Sequence, residues 1–157
     1  MNFEQLYRTH FAEVRRFALY LTGNQAEADD IAAETFVRAW AADAPLKARS
    51  LSAYLLSVAR NLHRRGHRRR LLLAAFGREA PEEAPGLERE LAGRSELQAI
   101  LARLQLLPEI DRAALLMRAF HELSYEEIAA ALGLSAAAAR VKVHRARNLL
   151  KDRESPS

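Results

Sequence analysis

Two stretches of the sequence concentrate positive charge without any acidic residue. Residues 60–70 contain six arginines and two histidines, and residues 136–151 contain five lysines and arginines. Between them, residues 78–96 hold six acids against three bases. Two basic patches on either side of an acidic connector suit a polyanion that is held at two places, although each patch alone is also typical of a solvated helix face.

Catalytic or metal-binding chemistry finds little support. The five histidines form no metal-binding or nucleophile constellation, and the sequence has neither a Gly-rich phosphate loop nor a paired-carboxylate motif. His63 and His67 are one helical turn apart, but two ligands beside six arginines make a poor site for a cation. The absence of cysteine excludes disulfides and thiolate metal sites. We therefore expect no enzyme activity, no cofactor and no metal.

The elements that position the basic residues are predicted to be helices. Apolar residues recur at a spacing of three and four throughout the chain, and strand patterns are nearly absent. A first helix ends at Thr22 and Gly23, a second begins at Asn24 with Glu27 closing a capping box, and a third begins near Ser50. The residues predicted to be buried, or to lie alongside the buried face, are Phe3, Tyr7, Phe11, Val14, Ala18, Leu21, Ala28, Ile31, Thr35, Phe36, Ala39, Trp40, Leu51, Tyr54, Leu55, Val58 and Leu62.

A break in this pattern divides the chain. The stretch 77–94 contains Pro81, Pro85 and clustered glutamates, which is typical of a linker. We expect an all-α protein of two small helical domains, residues 1–76 and 95–153, joined by a flexible linker. The N-terminus lacks the apolar core of a signal peptide, and no apolar run approaches membrane-spanning length. We therefore expect no membrane association and a location in the cytoplasm.

The C-terminal domain is predicted to end in a helix-turn-helix. A short helix is capped by Ser124 with Glu127 and stopped by Gly133, and Ser135 caps a longer basic helix after a turn of a few residues. This second helix is the candidate for insertion into the major groove. The residues predicted to be buried before this motif are Leu97, Ile100, Leu101, Leu104, Leu115, Leu116, Ala119 and Phe120.

One face of the last helix is predicted to contact DNA. If Ala139, Val143, Ala146 and Leu150 face the core, a rotation of about 100° per residue places Val141 on the opposite side, where a valine is unusual for a solvated face. A valine can touch a thymine methyl, and arginines can bind guanine edges or phosphates. An ordinary basic helix is the alternative. The candidate residues are Ala137, Arg140, Val141, His144, Arg145 and Arg147.

The stretch LSYEEIAAALGLSAAAARVKVHRARNLL, preceded by LPEIDRAALLMRAF, resembles the second DNA-binding domain of the extracytoplasmic-function (ECF) sigma factors, which binds the minus-35 promoter element. These bacterial factors carry RNA polymerase to promoter DNA. Three stretches are similar, in the same order, to their first domain: LYRTHFAEVRRFALYLTG, AEADDIAAETFVRAW and SAYLLSVARNLHRRGHRRR. The resemblance covers nearly everything outside the linker and the tail, and both halves together make it specific.

The resemblance implies a polymerase-binding surface on the second helix. In the family, the stretch DDIAAETF docks on the clamp helices of core RNA polymerase. The like charges of Asp30 and Glu34, four residues apart, disfavour a helix by a few tenths of a kcal/mol, so that something other than helix stability places them. A favourable interaction with the helix dipole explains the early acids but not Glu34. The implied polymerase-binding residues are Asp30, Glu34, Phe36 and Val37.

The resemblance also implies a surface that opens the minus-10 promoter element. Unstacked bases need a pocket, and arginines with an aromatic neighbour supply phosphate contacts and stacking. The chain departs from the family at Tyr54, where tryptophan is usual, at Arg65, where an acid is common, and at Ala138, where threonine is frequent. The implied residues are Tyr54, Arg60, Asn61, Arg64, Arg65, Arg68 and Arg69, of which Asn61 matches the ARN of the family motif.

These observations predict a sigma factor that directs core RNA polymerase to promoters and is held inactive by an anti-sigma factor. One alternative is a sigma-like mimic that sequesters an anti-sigma factor, for which the basic clusters would be unnecessary. A second alternative is an autonomous helix-turn-helix repressor, which would leave the N-terminal domain without a purpose.

Overall fold

A computed structural model describes residues 2–42, 48–77 and 95–154, so that all of the predicted linker after Gly77 lies outside the described residues. The described residues form seven α-helices and no β-strand, which confirms the all-α prediction. The helices are α1 Phe3–Thr22, α2 Gln25–Ala41, α3 Ala48–Ala75, α4 Ser95–Gln105, α5 Glu109–Ala119, α6 Tyr125–Leu132 and α7 Ala136–Glu154. Within these residues, no helix combines the length and apolar character that crossing a membrane requires.

Short polar residues and glycine set the helix ends. Asn24 Oδ1 accepts the backbone N–H of Glu27 at 2.8 Å, as predicted. The Glu27 carboxylate turns toward α3 instead of closing a capping box, so that this part of the prediction was wrong. Ser124 and Glu127 do form the predicted box, with both bonds at 3.0 Å. Gly133 ends α6 at φ 69°, a left-handed conformation that residues with a Cβ rarely adopt.

The buried residues of both halves form one continuous core. Helix α1 packs on α2 and α3 in the N-terminal half, and α7 packs on α5 and α6 in the C-terminal half. The predicted inner faces of α2 and α7 are confirmed. Their buried residues are Ala28, Ile31, Thr35 and Ala39 in α2, and Ala139, Val143 and Ala146 in α7.

Several residues predicted to be buried are exposed. Helix α1 buries Leu6 at its start, one position before the expected stripe, so that Phe3 and Tyr7 lie outside the core. Trp40 is 49% exposed and contacts the edge of the Phe3 ring, with the ring centroids 5.8 Å apart. Ile100 is also exposed. The aromatic residues near the start of α1 therefore cover the surface instead of filling the interior.

The two halves pack directly against each other, α5 on α1 and α6 on α3. The rings of Tyr20 and Phe120 stack with centroids 5.2 Å apart, which explains why Phe120 leaves the core of its own half. The guanidinium of Arg112 donates a hydrogen bond to the carbonyl oxygen of Leu21, and Gln105 Nε2 donates to the carbonyl oxygen of Tyr20 at 3.2 Å. In this closed arrangement of the two halves, the C-terminal end of α1 lies between α4 and α5.

Candidate nucleic-acid interface

A cavity of about 760 Å³ opens where the end of α2 meets the exposed side of α3. Apolar side chains such as Val58 and Leu62 line it together with an aromatic ring and several arginines. The candidate minus-10 residues that line it are Tyr54, Asn61, Arg64, Arg65 and Arg68. The structure therefore brings five of the seven predicted residues to one space, where a base can stack on a ring and its phosphate can meet guanidinium groups.

The helical repeat explains this grouping. Residues 54, 58, 61, 65 and 68 follow each other at steps of three and four, which places them along one face of α3. The neighbouring face of the same helix, about 100° around from this stripe, carries Leu51, Leu55 and Ala59, which are buried in the core. One helix thus supplies both the packing of the N-terminal half and the cationic lining of the cavity.

Arg60 is the exception among the candidates. Arg60 follows the buried Ala59 and is only 5% exposed. Its side chain points to the C-terminal half. Its Nε and Nη2 donate to the two carboxylate oxygens of Glu109 at 2.9 and 2.8 Å. The expectation that Arg60 stands with the other minus-10 residues was wrong for this closed arrangement, because its position on α3 faces the interior.

A carboxylate of α2 holds the basic end of α3. Glu27 accepts hydrogen bonds from Arg70 at 3.0 and 3.4 Å and contacts His63 Nδ1 at 3.3 Å. Burial alone would raise the pKa of Glu27, but the hydrogen bonds from His63 and Arg70 outweigh it and lower the pKa. His63 is therefore engaged with Glu27, and the described residues contain no cluster of three or more potential metal ligands. Arg69 is exposed but does not line the cavity.

A second carboxylate joins the two halves. Glu13 of α1 lies 3.4 Å from His121 Nδ1 and 3.2 Å from His10 Nδ1, and it accepts a hydrogen bond from Ser52 Oγ at 3.2 Å. The hydrogen bond with His121 lowers the pKa of Glu13, and that with His10 adds to this effect, against the opposing effect of burial. No local pattern predicts this contact, since His121 lies 108 positions away in the other half.

The exposed face of α7 forms the second basic surface. A cavity of about 550 Å³ lies against it, and Val141 is 61% exposed beside it. Ser135 Oγ caps the helix by accepting the N–H of Ala138 at 3.0 Å, as predicted. Ala137 is exposed at the start of α7 but does not line the cavity. The candidate minus-35 residues that line it are Arg140, Val141, His144, Arg145 and Arg147.

Two arginines on this face are held by residues that the sequence analysis missed. The Tyr125 ring lies under the guanidinium of Arg140 at 4.9 Å and that of Arg118 at 4.8 Å from its centroid. Arg145 Nε donates to the carboxylate of Asp111 at 2.7 Å. Contacts between helices that are distant in sequence leave no mark in a periodicity pattern, so neither partner was predictable.

Acidic residues lie on the exposed side of α2. Asp30, Glu34 and Val37 are exposed at steps of four and three. Arg38 Nε donates to Glu34 at 3.0 Å, an i,i+4 pair within the helix. Asp30 forms no ion pair within the described part of the chain. The like-charged carboxylates thus remain at the surface, as the sequence predicts.

The assignment of Phe36 to this exposed surface was wrong. Phe36 is fully buried and packs against the rings of Tyr7 and Phe11, with centroids 5.3 and 6.2 Å away. It lies about 100° around the helix from Val37, on the side of the core. Trp40, three residues after Val37, supplies the exposed aromatic surface instead. This spacing was visible in the sequence.

Comparison with known proteins gives the family. Residues 6–71 match the profile of sigma-70 region 2, and residues 97–150 match that of sigma-70 region 4. The chain is 35% identical over 142 residues to the ECF RNA polymerase sigma factor EcfG of Rhodopseudomonas palustris, covering 87% of this chain and 76% of that protein. This chain belongs to the ECF sigma factors. Sigma factors are regulators of transcription and not enzymes.

Further relatives agree with this membership. The sigma factor is 34% identical over 157 residues to SigE of Mycolicibacterium smegmatis, covering 96% of this chain but only 61% of that protein's length. RpoE of Bartonella quintana, solved in complex with the anti-sigma factor NepR, has the same fold, with a TM-score of 0.76, 24% identity, and coverage of 96% of this chain and 94% of that one. CnrH, solved in complex with the cytosolic domain of CnrY, matches with a TM-score of 0.69 and 28% sequence identity. The match covers 96% of this chain and 85% of CnrH.

Proposed function

We propose that this sigma factor directs core RNA polymerase to promoter DNA and starts transcription there. The α2–α3 cavity receives an unstacked base of the minus-10 element, the exposed face of α7 reads the minus-35 element, and the exposed side of α2 binds the polymerase clamp helices. The observation that carries this proposal is the cavity between α2 and α3, because Tyr54 and four arginines line one space.

The lining of this cavity suits a nucleotide that has left the helix stack. Stacking of a base on an aromatic ring is worth about 1–3 kcal/mol, which offsets part of the cost of unstacking. The amide of Asn61 offers both donors and an acceptor to a base edge. In this proposal Arg69 contacts flanking phosphates, and Arg60 joins the surface only after it has separated from Glu109.

The exposed face of α7 suits the major groove. An exposed valine between cationic side chains fits a thymine methyl, and Arg140 and Arg145 are long enough to reach guanine edges or phosphates. Ala137 stands at the N-terminal end of the helix, where helix-turn-helix proteins approach base edges. His144 and Arg147 complete the proposed minus-35 surface.

The exposed side of α2 suits a protein partner. Val37 and Trp40 lie next to each other at the surface, and Phe3 of α1 extends the apolar area. Burial of such a patch against a partner is favourable, while Asp30 and Glu34 supply charge for pairing with a basic surface. The polymerase-binding surface that we propose is therefore Asp30, Glu34, Val37 and Trp40, with Phe36 as its buried support.

We further propose that an anti-sigma factor controls this protein. RpoE and CnrH are each described in complex with another protein, NepR and CnrY, and NepR is an anti-sigma factor. The closed packing of α5 and α6 on α1 and α3 offers such an inhibitor a single body to bind. Since the proposed partners are polymerase, promoter DNA and an anti-sigma factor, the proposed location is the cytoplasm.

The direct test is transcription by core RNA polymerase on a library of promoter fragments, with and without this chain. We expect enrichment of transcripts whose templates share two sequence elements. A paired reaction with a Tyr54→Ala chain should retain polymerase binding and lose most of the output. Equal transcript profiles with and without the chain would contradict the proposal.

A further inference from the structure

The C-terminal half contains a carboxylate that is completely enclosed. Asp111 of α5 has 0% exposure. Its Oδ2 accepts the hydrogen bond from Arg145 Nε at 2.7 Å, and its Oδ1 lies 3.7 Å from Lys142 Nζ. Oδ1 has no hydrogen-bond partner within the described residues. Both cations come from α7, the helix with the proposed minus-35 surface.

Packing alone does not require a carboxylate at this position. Removal of a carboxylate from water is costly, and buried ion pairs can often be replaced by apolar residues without loss of stability. Of the residues that follow in α5, Arg112 is buried and donates to backbone carbonyl oxygens, whereas Ala113, Ala114 and Leu115 are buried and apolar. Unlike an apolar residue, an aspartate at this position fixes the direction of two cationic side chains, those of Arg145 and Lys142.

The geometry at Arg145 leaves its outer end free for a ligand. The guanidinium bonds to Asp111 through Nε, and its two Nη groups form no hydrogen bond within the described part of the chain. The side chain remains 51% exposed and lines the cavity beside Val141. A planar guanidinium that is held at one edge presents two parallel donors at the other, the arrangement that binds guanine O6 and N7.

We propose that Asp111 is a positioning residue for promoter recognition, which holds the Arg145 guanidinium in the orientation that reads a base. This inference rests on the proposed role of α7 in binding the minus-35 element. The negative charge of Asp111 repels the DNA phosphates, so it lowers the affinity for DNA of any sequence. By orienting Arg145, Asp111 raises the preference for the correct sequence. Its removal should therefore lower the affinity for correct DNA relative to the affinity for incorrect DNA.

The test uses the full chain bound to core polymerase and two promoter fragments, one intact and one with a scrambled minus-35 element. The quantity measured is the ratio of the two affinities. For Asp111→Asn we expect this ratio to fall by about tenfold, within the range for one guanine contact. Affinity for the scrambled fragment should stay equal or rise. Asp152→Asn, which removes an exposed acid from the same α7, is the matched control and should leave the ratio unchanged.

The measurement separates positioning from folding. A partly unfolded sample loses affinity for both fragments equally, so that the ratio reports only the folded molecules. If Asp111→Asn does not fold, Asp111→Leu fills the same site with apolar atoms, and the same fall in the ratio is expected. An unchanged ratio in the folded Asn or Leu variant would overturn the inference.

Arg145→Ala distinguishes this inference from the proposed function. If Arg145→Ala leaves the ratio unchanged, the proposed role of Arg145 is wrong, and with it the basis of the inference. If Arg145→Ala lowers the ratio and Asp111→Asn does not, only the inference about Asp111 is wrong. If Asp111 acts through Arg145, the double variant should match Arg145→Ala alone, whereas additive losses would contradict positioning.

Discussion

Arg60 of α3 donates two parallel hydrogen bonds to the carboxylate of Glu109 in α5, at 2.9 and 2.8 Å. The two residues belong to different halves and lie 49 positions apart. Although burial alone would raise the pKa of Glu109, the hydrogen bonds and charge of Arg60 outweigh it and lower the pKa. The Glu109 carboxylate therefore stays charged at neutral pH, and the pair joins the two halves.

We expect Glu109→Gln to open this arrangement. The variant leaves Arg60 buried without a charged partner, a change that costs about 3–5 kcal/mol for fully buried pairs and less here because Glu109 is partly exposed. The mean distance between labels on the exposed sides of α2 and α7 should therefore increase. Glu126→Gln, an exposed position of α6, is the control, and an equal distance in both variants would contradict the role of the pair.

We expect the free energy of unfolding to fall at acidic pH. His121, as the main cause, holds the folded-state pKa of Glu13 below its usual value of 4.5, so that Glu13 stabilises the fold above that pH. This contribution is lost as the pH falls through the folded-state pKa. In urea unfolding at a series of pH values, Glu13→Gln should show a smaller fall in the free energy of unfolding below pH 4.5 than the unchanged chain. Glu4→Gln controls for the loss of charge, and identical slopes would contradict the contact.

The α2–α3 cavity predicts a specific defect in promoter opening. Tyr54→Ala should reduce opening of the minus-10 element by a factor that corresponds to about 1–3 kcal/mol, because one stacking surface is lost. Tyr54→Phe should retain most of the activity. Fluorescence of a base analogue placed in the minus-10 element measures this step. Arg69 lies outside the cavity, so that Arg69→Ala should only weaken the salt dependence of DNA binding. A larger defect in promoter opening for Arg69→Ala than for Tyr54→Ala would contradict the proposed role of the cavity.

The exposed side of α2 predicts a defect in polymerase binding. Reversal of Asp30 and Glu34 to lysine should abolish competition with another sigma factor for core polymerase, since the proposed contact is with a basic surface. Circular dichroism should remain unchanged because both residues are exposed. Glu122→Lys, an exposed charge reversal in the other half, is the control. Loss of helicity in the α2 variant would instead indicate a structural role for these acids.

Local patterns in the sequence predicted the helices, most of their ends and the inner faces of α2 and α7. They did so because apolar spacing and capping act between residues a few positions apart. The same helical spacing predicted that Val141 and Glu34 are exposed. The family resemblance supplied the residues of the α2–α3 cavity, which local spacing alone did not identify.

The errors share a different origin. Arg60 was placed with its arginine neighbours, but its direction depends on Glu109 in the other half. Trp40 was predicted to be buried but lies at the surface against the ring of Phe3 from α1. Asp111 was not recognised because its partner is on α7. In each case the decisive contact joins two different helices, and such pairs carry no periodic signal.

The most direct measurement is site-specific cross-linking in a complex of this chain, core polymerase and promoter DNA. A photo-reactive amino acid would replace Tyr54 in one chain and Val141 in another. We predict that position 54 cross-links to the minus-10 element and position 141 to the minus-35 element of the same promoter. Cross-links from both positions to one element, or equal cross-linking to DNA without a promoter, would contradict the account.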